Sequence, residues 1–176
     1  MPKDSIDLVA AFGLTLGAVF GMAGTFMTQP PLQALSWAID GAGLVMAGAL
    51  LALKCARLGR DIVAGGFLVF AIAEAVMMSG LAAGPVGSVP AFAAGTALWS
   101  TALLLVSIPR YFAAWVRLPG IAAAILFAIV SARIHQGEQL LPTSTPLPYF
   151  AYPILVATFV GWIWELLRGK GGNRSA

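Results

Sequence analysis

The sequence predicts an all-α polytopic membrane protein: six transmembrane helices in one bundle, both termini cytoplasmic. Three observations carry this. Hydrophobic residues make up 60% of the 176 and charged residues 10%, against about 25% charged in a soluble domain, so most side chains have no water to meet. The apolar residues fall into six stretches, each near the roughly 20 residues that a helix needs to cross a bilayer. With the chain threaded back and forth, nine of the ten Lys and Arg lie on one side, the side that faces the cytoplasm. An even number of spans puts both termini on that side, so span count and charge agree.

The first span runs from Leu8 to Met27. Lys3 before an apolar run has the look of a signal peptide, but the run is too long for one and Asp4 and Asp7 precede it. We read it as a true span. The second runs from Leu35 to Leu53, the third from Ile62 to Ala83, the fourth from Ala91 to Pro109, the fifth from Leu118 to Ile134 and the sixth from Phe150 to Leu167. Pro30-Pro31, Gly84-Pro85, Pro119-Gly120 and the stretch from Pro142 to Pro148 mark the turns. Lys3, Lys54, Arg57, Arg60, Arg110, Arg117, Arg168, Lys170 and Arg174 fall inside; Arg133 alone falls outside.

Trp162 and Trp164 mark the inner end of the sixth span, Tyr149 and Tyr152 its outer end, and Trp37 the outer end of the second, as rings in a head-group belt do. Trp99 is out of place, near the middle of the fourth span. The segment from Arg110 to Arg117 mixes base and aromatic and is expected in the inner interface.

Residues 1–168 form a single six-helix transmembrane domain and 169–176 a short basic cytoplasmic tail. The short loops leave no room for a soluble domain. The net charge of +3 sits beside the spans, which points to anionic lipids on the cytoplasmic side and not to nucleic acid. The expected location is a bacterial inner (plasma) membrane. The single cysteine, Cys55, is placed in an inner loop and excludes an internal disulfide or a Cys-based zinc site. An Asn-Arg-Ser triplet at Asn173 is a glycosylation pattern, set aside because it falls in the cytoplasmic tail.

Gly13, Gly17 and Gly21 recur every fourth residue, with Ala10, Gly24 and Thr28 on the same face. Small residues so spaced bring two helix backbones together, either inside the bundle or against a partner subunit or second copy. In size, span count and this stripe the chain resembles the substrate-binding S-components of energy-coupling-factor transporters, whose first span docks a partner in this way. The resemblance covers those three features and no specific motif.

Asp40 and Glu74 are the leading functional candidates. Both fall inside spans, where a carboxylate costs on the order of 3 kcal/mol and ionisable residues are as a rule functional. A rise of about 1.5 Å per residue places both in the outer half, at the depth of Arg133 and His135. Two readings stand: a Glu74–Arg133 ion pair that only fixes helix register, or a binding or proton-linked site. Met77 and Met78 share the face of Glu74. With Met22, Met27 and Met46 their thioethers would suit Cu(I), although Met is commonly flexible filler. His135 alone cannot ligate a haem on both sides, so any metal or cofactor stays unassigned. Glu165 is expected to pair with Arg168 one turn on.

There is no HExxH, Walker loop, GxSxG or CxxC, and no Lys inside a span, so neither a hydrolase nor a retinal protein is expected. The Pro-rich stretch from Gln136 to Pro148 is either a cover over the outer cluster or a stiff connector. Phe70-Ala-Ile-Ala-Glu-Ala75 resembles Phe127-Ala-Ile-Val-Ser-Ala132, which would fit a duplicated helical hairpin. The expected function is binding or transport of a small solute or ion, with Asp40, Glu74, Arg133, His135, Met77 and Met78 at the site. The alternative is an accessory or assembly subunit docked through Gly13, Gly17 and Gly21.

Overall fold

Pro30 and Pro31 punctuate the sequence like a turn, yet in the fold they start a helix. In the computed structural model, which describes residues 5–168, Gln29 is extended and the two prolines take the first helical positions. A missing N–H there breaks no hydrogen bond. The long helices are α1 (Ser5–Phe26), α2 (Pro30–Arg57), α3 (Asp61–Gly80), α4 (Val89–Ser107), α5 (Ala114–His135) and α6 (Ala151–Leu167). A 3₁₀ turn, Leu81–Ala83, and a helical turn, Gly84–Gly87, join α3 to α4. The described residues hold no strand. Lys3, Asp4 and the basic tail 169–176 lie outside them.

The helix starts differ from expectation for one physical reason. Proline read as a breaker is accommodated near a helix start, where few backbone donors need partners. So α2 begins at Pro30 rather than Leu35 and α4 carries Pro90 in its first turn; α5 differs, beginning at Ala114 and holding Pro119 inside the helix, where the ring removes a backbone donor. The third span ends earlier, at Gly80; beyond the 3₁₀ turn, Gly84 takes φ 74°, a conformation that glycine adopts without a Cβ clash.

Each helix packs on the next in sequence, and α6 returns to α1, closing a ring. Short connections make neighbours antiparallel. One end of the ring therefore gathers the loops 58–60 and 108–113 with the end of α6, and carries Lys54, Arg57, Arg60, Arg110, Arg117 and Arg168. The opposite end holds the connections 27–29, 81–88 and 136–150; among the described residues Arg133 is the one Lys or Arg near it.

Phe67, Phe70, Phe127, Phe159 and Trp162 fill the middle of the ring. Phe67 meets Trp162 at 5.0 Å and Phe70 meets Phe159 at 5.7 Å, both edge to face, the geometry that aromatic quadrupoles favour. Trp162, expected in the head-group belt, is instead 1% exposed. Its helical phase turns it to the core, while Trp164 faces out beneath Arg168 at 3.7 Å. That stacking replaces the expected Glu165–Arg168 pair, which is absent among the described residues; Glu165 is buried.

The outer surface is apolar. Phe12, Ile62 and Leu118 are 60%, 63% and 67% exposed, whereas glycine and alanine fill helix contacts inside. This is the pattern of an integral membrane protein, whose helices associate through small residues and not through apolar burial from water. Five helices are long and apolar enough to cross a membrane: α1, α2, α3 extended to Gly87, α4 and α5. The sixth, α6, is apolar but has 17 residues.

At the basic end, Lys54 pairs with buried Asp7 and ties the end of α2 to the start of α1. Arg117 donates from Nε to the Ser107 carbonyl at 2.6 Å and from Nη2 to the Ile108 carbonyl at 2.8 Å. These carbonyls at the end of α4 have no helical partner of their own. Cys55 sits in the last turn of α2 and is buried, not in a loop as expected, because α2 runs on to Arg57. Burial and neighbouring Cys55 raise the pKa of the Tyr111 hydroxyl in the α4–α5 connection, so it stays protonated.

Candidate functional site

The glycine stripe on α1 is met by α2. A Cβ on Gly13 would lie 2.5 Å from the Gly43 carbonyl oxygen, and one on Gly17 would lie 2.2 Å from Leu44 Cδ2. Gly21 receives Asp40: a Cβ there would lie 3.0 Å from Oδ2. Of the two roles open to the stripe, packing within the chain is the one the fold uses. A second chain could reach it only by displacing α2.

The same close approach seats Asp40 beside Glu74. Glu74 points inward from α3 and is 3% exposed. Trp99 of α4 donates its indole N–H to Glu74 Oε1 at 2.7 Å. The two carboxyls line one cavity of about 90 Å³. Asp40 Oδ1 is buried and has no hydrogen-bond partner among the described residues, a costly condition for a carboxyl away from water.

Aromatic and thioether side chains form a large part of the wall: Trp37, Phe92, Trp99, Tyr152 and Phe159 with Met22, Met77 and Met78. Met77 packs over Gly95 and Met78 over Gly41. Leu81, Ser88 and Pro142 bound the cavity from the connections, which places it toward the end poor in basic residues. Pro142 belongs to the proline-rich stretch, so that segment contributes to the wall. Among the described residues no Lys, Arg or His lines the cavity.

Arg133 and His135 therefore stand apart from Asp40, Glu74, Met77 and Met78. The Arg133 guanidinium, 37% exposed, meets the Glu138 carboxylate with Nη2–Oε2 at 2.6 Å and Nε–Oε1 at 3.0 Å. The Glu74–Arg133 pair expected from depth alone is not formed, because depth fixes a level in the bundle and not a side of a helix. The turn after α5 brings Glu138 back to Arg133 five residues away. His135 is exposed, with Nδ1 2.8 Å from the Ser131 carbonyl oxygen of its own helix. Among the described residues no three His, Cys, Asp or Glu come together as metal ligands.

Sequence reasoning missed Trp99, Tyr152, Trp37 and Phe92. For Trp99 a signal existed: a tryptophan in mid-span needs a partner for its N–H, and Glu74 is the acceptor at matching depth. Tyr152 and Trp37 were assigned to head-group belts by their positions near span ends. Nothing local distinguishes a belt ring from one turned inward.

No family model, no curated protein and no solved structure matches the chain.

Proposed function

We propose that the protein is a six-span plasma-membrane protein of bacterial type that binds and carries a small solute or ion at the Asp40–Glu74 cavity, reached from the side away from the cytoplasm. The observation that carries this is the pair of carboxyls from adjacent helices sharing one apolar-walled cavity, with an oxygen of Asp40 left without a partner. Such a group is expensive to keep inside a membrane and is a functional site by default. The basic end is assigned to the cytoplasm by the positive-inside rule. We count α6 as the sixth span because it closes the ring between α5 and α1. Its 17 residues rise about 26 Å, nearly the thickness of a hydrocarbon core.

Native mass spectrometry of the protein released gently from its own membrane, joined to a tryptophan-fluorescence screen of charged and neutral solutes, tests the proposal. The expected result is a small bound mass or a saturable fluorescence change that Glu74→Gln and Asp40→Asn each abolish without unfolding the protein. Unchanged binding in both variants would refute it, as would a wild-type protein silent in both experiments.

A further inference from the structure

We infer that the solute taken by this cavity is a small organic cation, its charge held between Asp40 and Glu74 and its carbon substituents faced by Trp37, Phe92, Trp99 and Tyr152. The inference rests on the cavity being a binding site and adds the class of its ligand. Charge comes first. Two carboxyls line the cavity, no basic side chain among the described residues does, and Arg133 is engaged with Glu138. An anionic solute would meet repulsion with nothing to offset it. A cation is met by two acidic groups and gives the unpartnered oxygen of Asp40 a partner.

The wall decides what kind of cation. Hard metal ions take six or more oxygen ligands or keep several waters. Here two carboxyls stand among rings and thioethers, with no third acidic or imidazole ligand among the described residues. Aromatic faces attract ammonium and guanidinium groups and pack equally well on their carbon substituents. Trp99 takes up one oxygen of Glu74, which fixes the carboxylate in place for the ligand. A volume of about 90 Å³ limits the ligand to a few carbon atoms around one charged nitrogen centre.

The test is tryptophan-fluorescence titration of the full chain in lipid nanodiscs. The probes are tetramethylammonium, methylammonium and guanidinium chlorides, with sodium chloride, sodium acetate and tert-butanol as comparisons. Saturable binding of at least one organic cation, unmatched by sodium, is expected. It should weaken tenfold or more in both Asp40→Asn and Glu74→Gln, and about threefold in Phe92→Leu. Each variant is first checked for an unchanged unfolding temperature; where one fails, Asp40→Glu, which keeps the charge, replaces it and should retain the preference for cations. Silence toward all three organic cations overturns the inference. Saturable binding of acetate or tert-butanol in that case leaves a binding site for another class of solute. Silence toward every probe, with no bound mass on the native protein, removes the binding site as well.

Discussion

Glu74 and Asp40 are chemically alike, line the same cavity, and differ in what the fold gives them. Glu74 has an indole donor at 2.7 Å; Asp40 has an oxygen with none. Opposite responses follow. Trp99→Phe keeps the ring packing on Phe70 and Phe127 but strands the Glu74 oxygen, so it should cost about 2 kcal/mol, read as a lower unfolding temperature in detergent. Asp40→Asn replaces a carboxyl whose buried Oδ1 has no partner among the described residues, so its unfolding temperature should hold or rise while binding is lost. A large drop for Asp40→Asn would mean that the carboxylate is structural. In the sequence both residues were visible as intramembrane carboxylates. Their partners were not, since a partner's identity depends on the rotation of a different helix.

At the scale of helices, glycine positions separate contacts that are full from those that are open. Gly17 faces Leu44 at a distance that no Cβ tolerates, whereas a Cβ on Gly65 would meet nothing within 4 Å. Gly17→Ala should therefore push the buried Leu44 side chain from its place in the α1–α2 contact and destabilise by about 2 kcal/mol. Gly65→Ala should be neutral or stabilising by up to about 1 kcal/mol through helix propensity. Thermal unfolding of the two variants side by side checks the contrast, and equal effects would contradict the α1–α2 packing. The pair Asp7–Lys54 fastens these same helices at the basic end. Asp7→Ala should cost about 2 kcal/mol, less than a fully buried pair, because both side chains keep some exposure. The four-residue spacing announced a helix contact from sequence alone; that α2 supplies it is a matter of which helix the short turn at 27–29 returns.

For the whole molecule, segregated charge makes a prediction about sidedness. In a Cys55→Ala background, Gln139→Cys at the end poor in basic residues should react with a membrane-impermeant maleimide added to intact cells. Leu58→Cys at the basic end should react only after permeabilisation. The reverse pattern would invert the topology, and equal labelling of both would refute an odd–even threading of the spans. The ring explains why one cavity can collect groups from α1, α2, α3, α4 and α6: consecutive helices are neighbours, and closure brings α6 back to α1. Span count by itself does not specify a closed ring.

Membrane class, helix number and the gathering of basic residues at one end were determined by the sequence itself, because hydropathy and charge add along the chain and need no knowledge of neighbours. The cavity was decided only by tertiary structure. Whether Glu74 meets Arg133 or Trp99, and whether Tyr152 and Trp37 face lipid head groups or the cavity, turns on helix rotation and adjacency. Those are set when all the small-residue contacts close together, and a helix turned by half a turn would keep the same hydropathy while presenting a different side chain to the cavity.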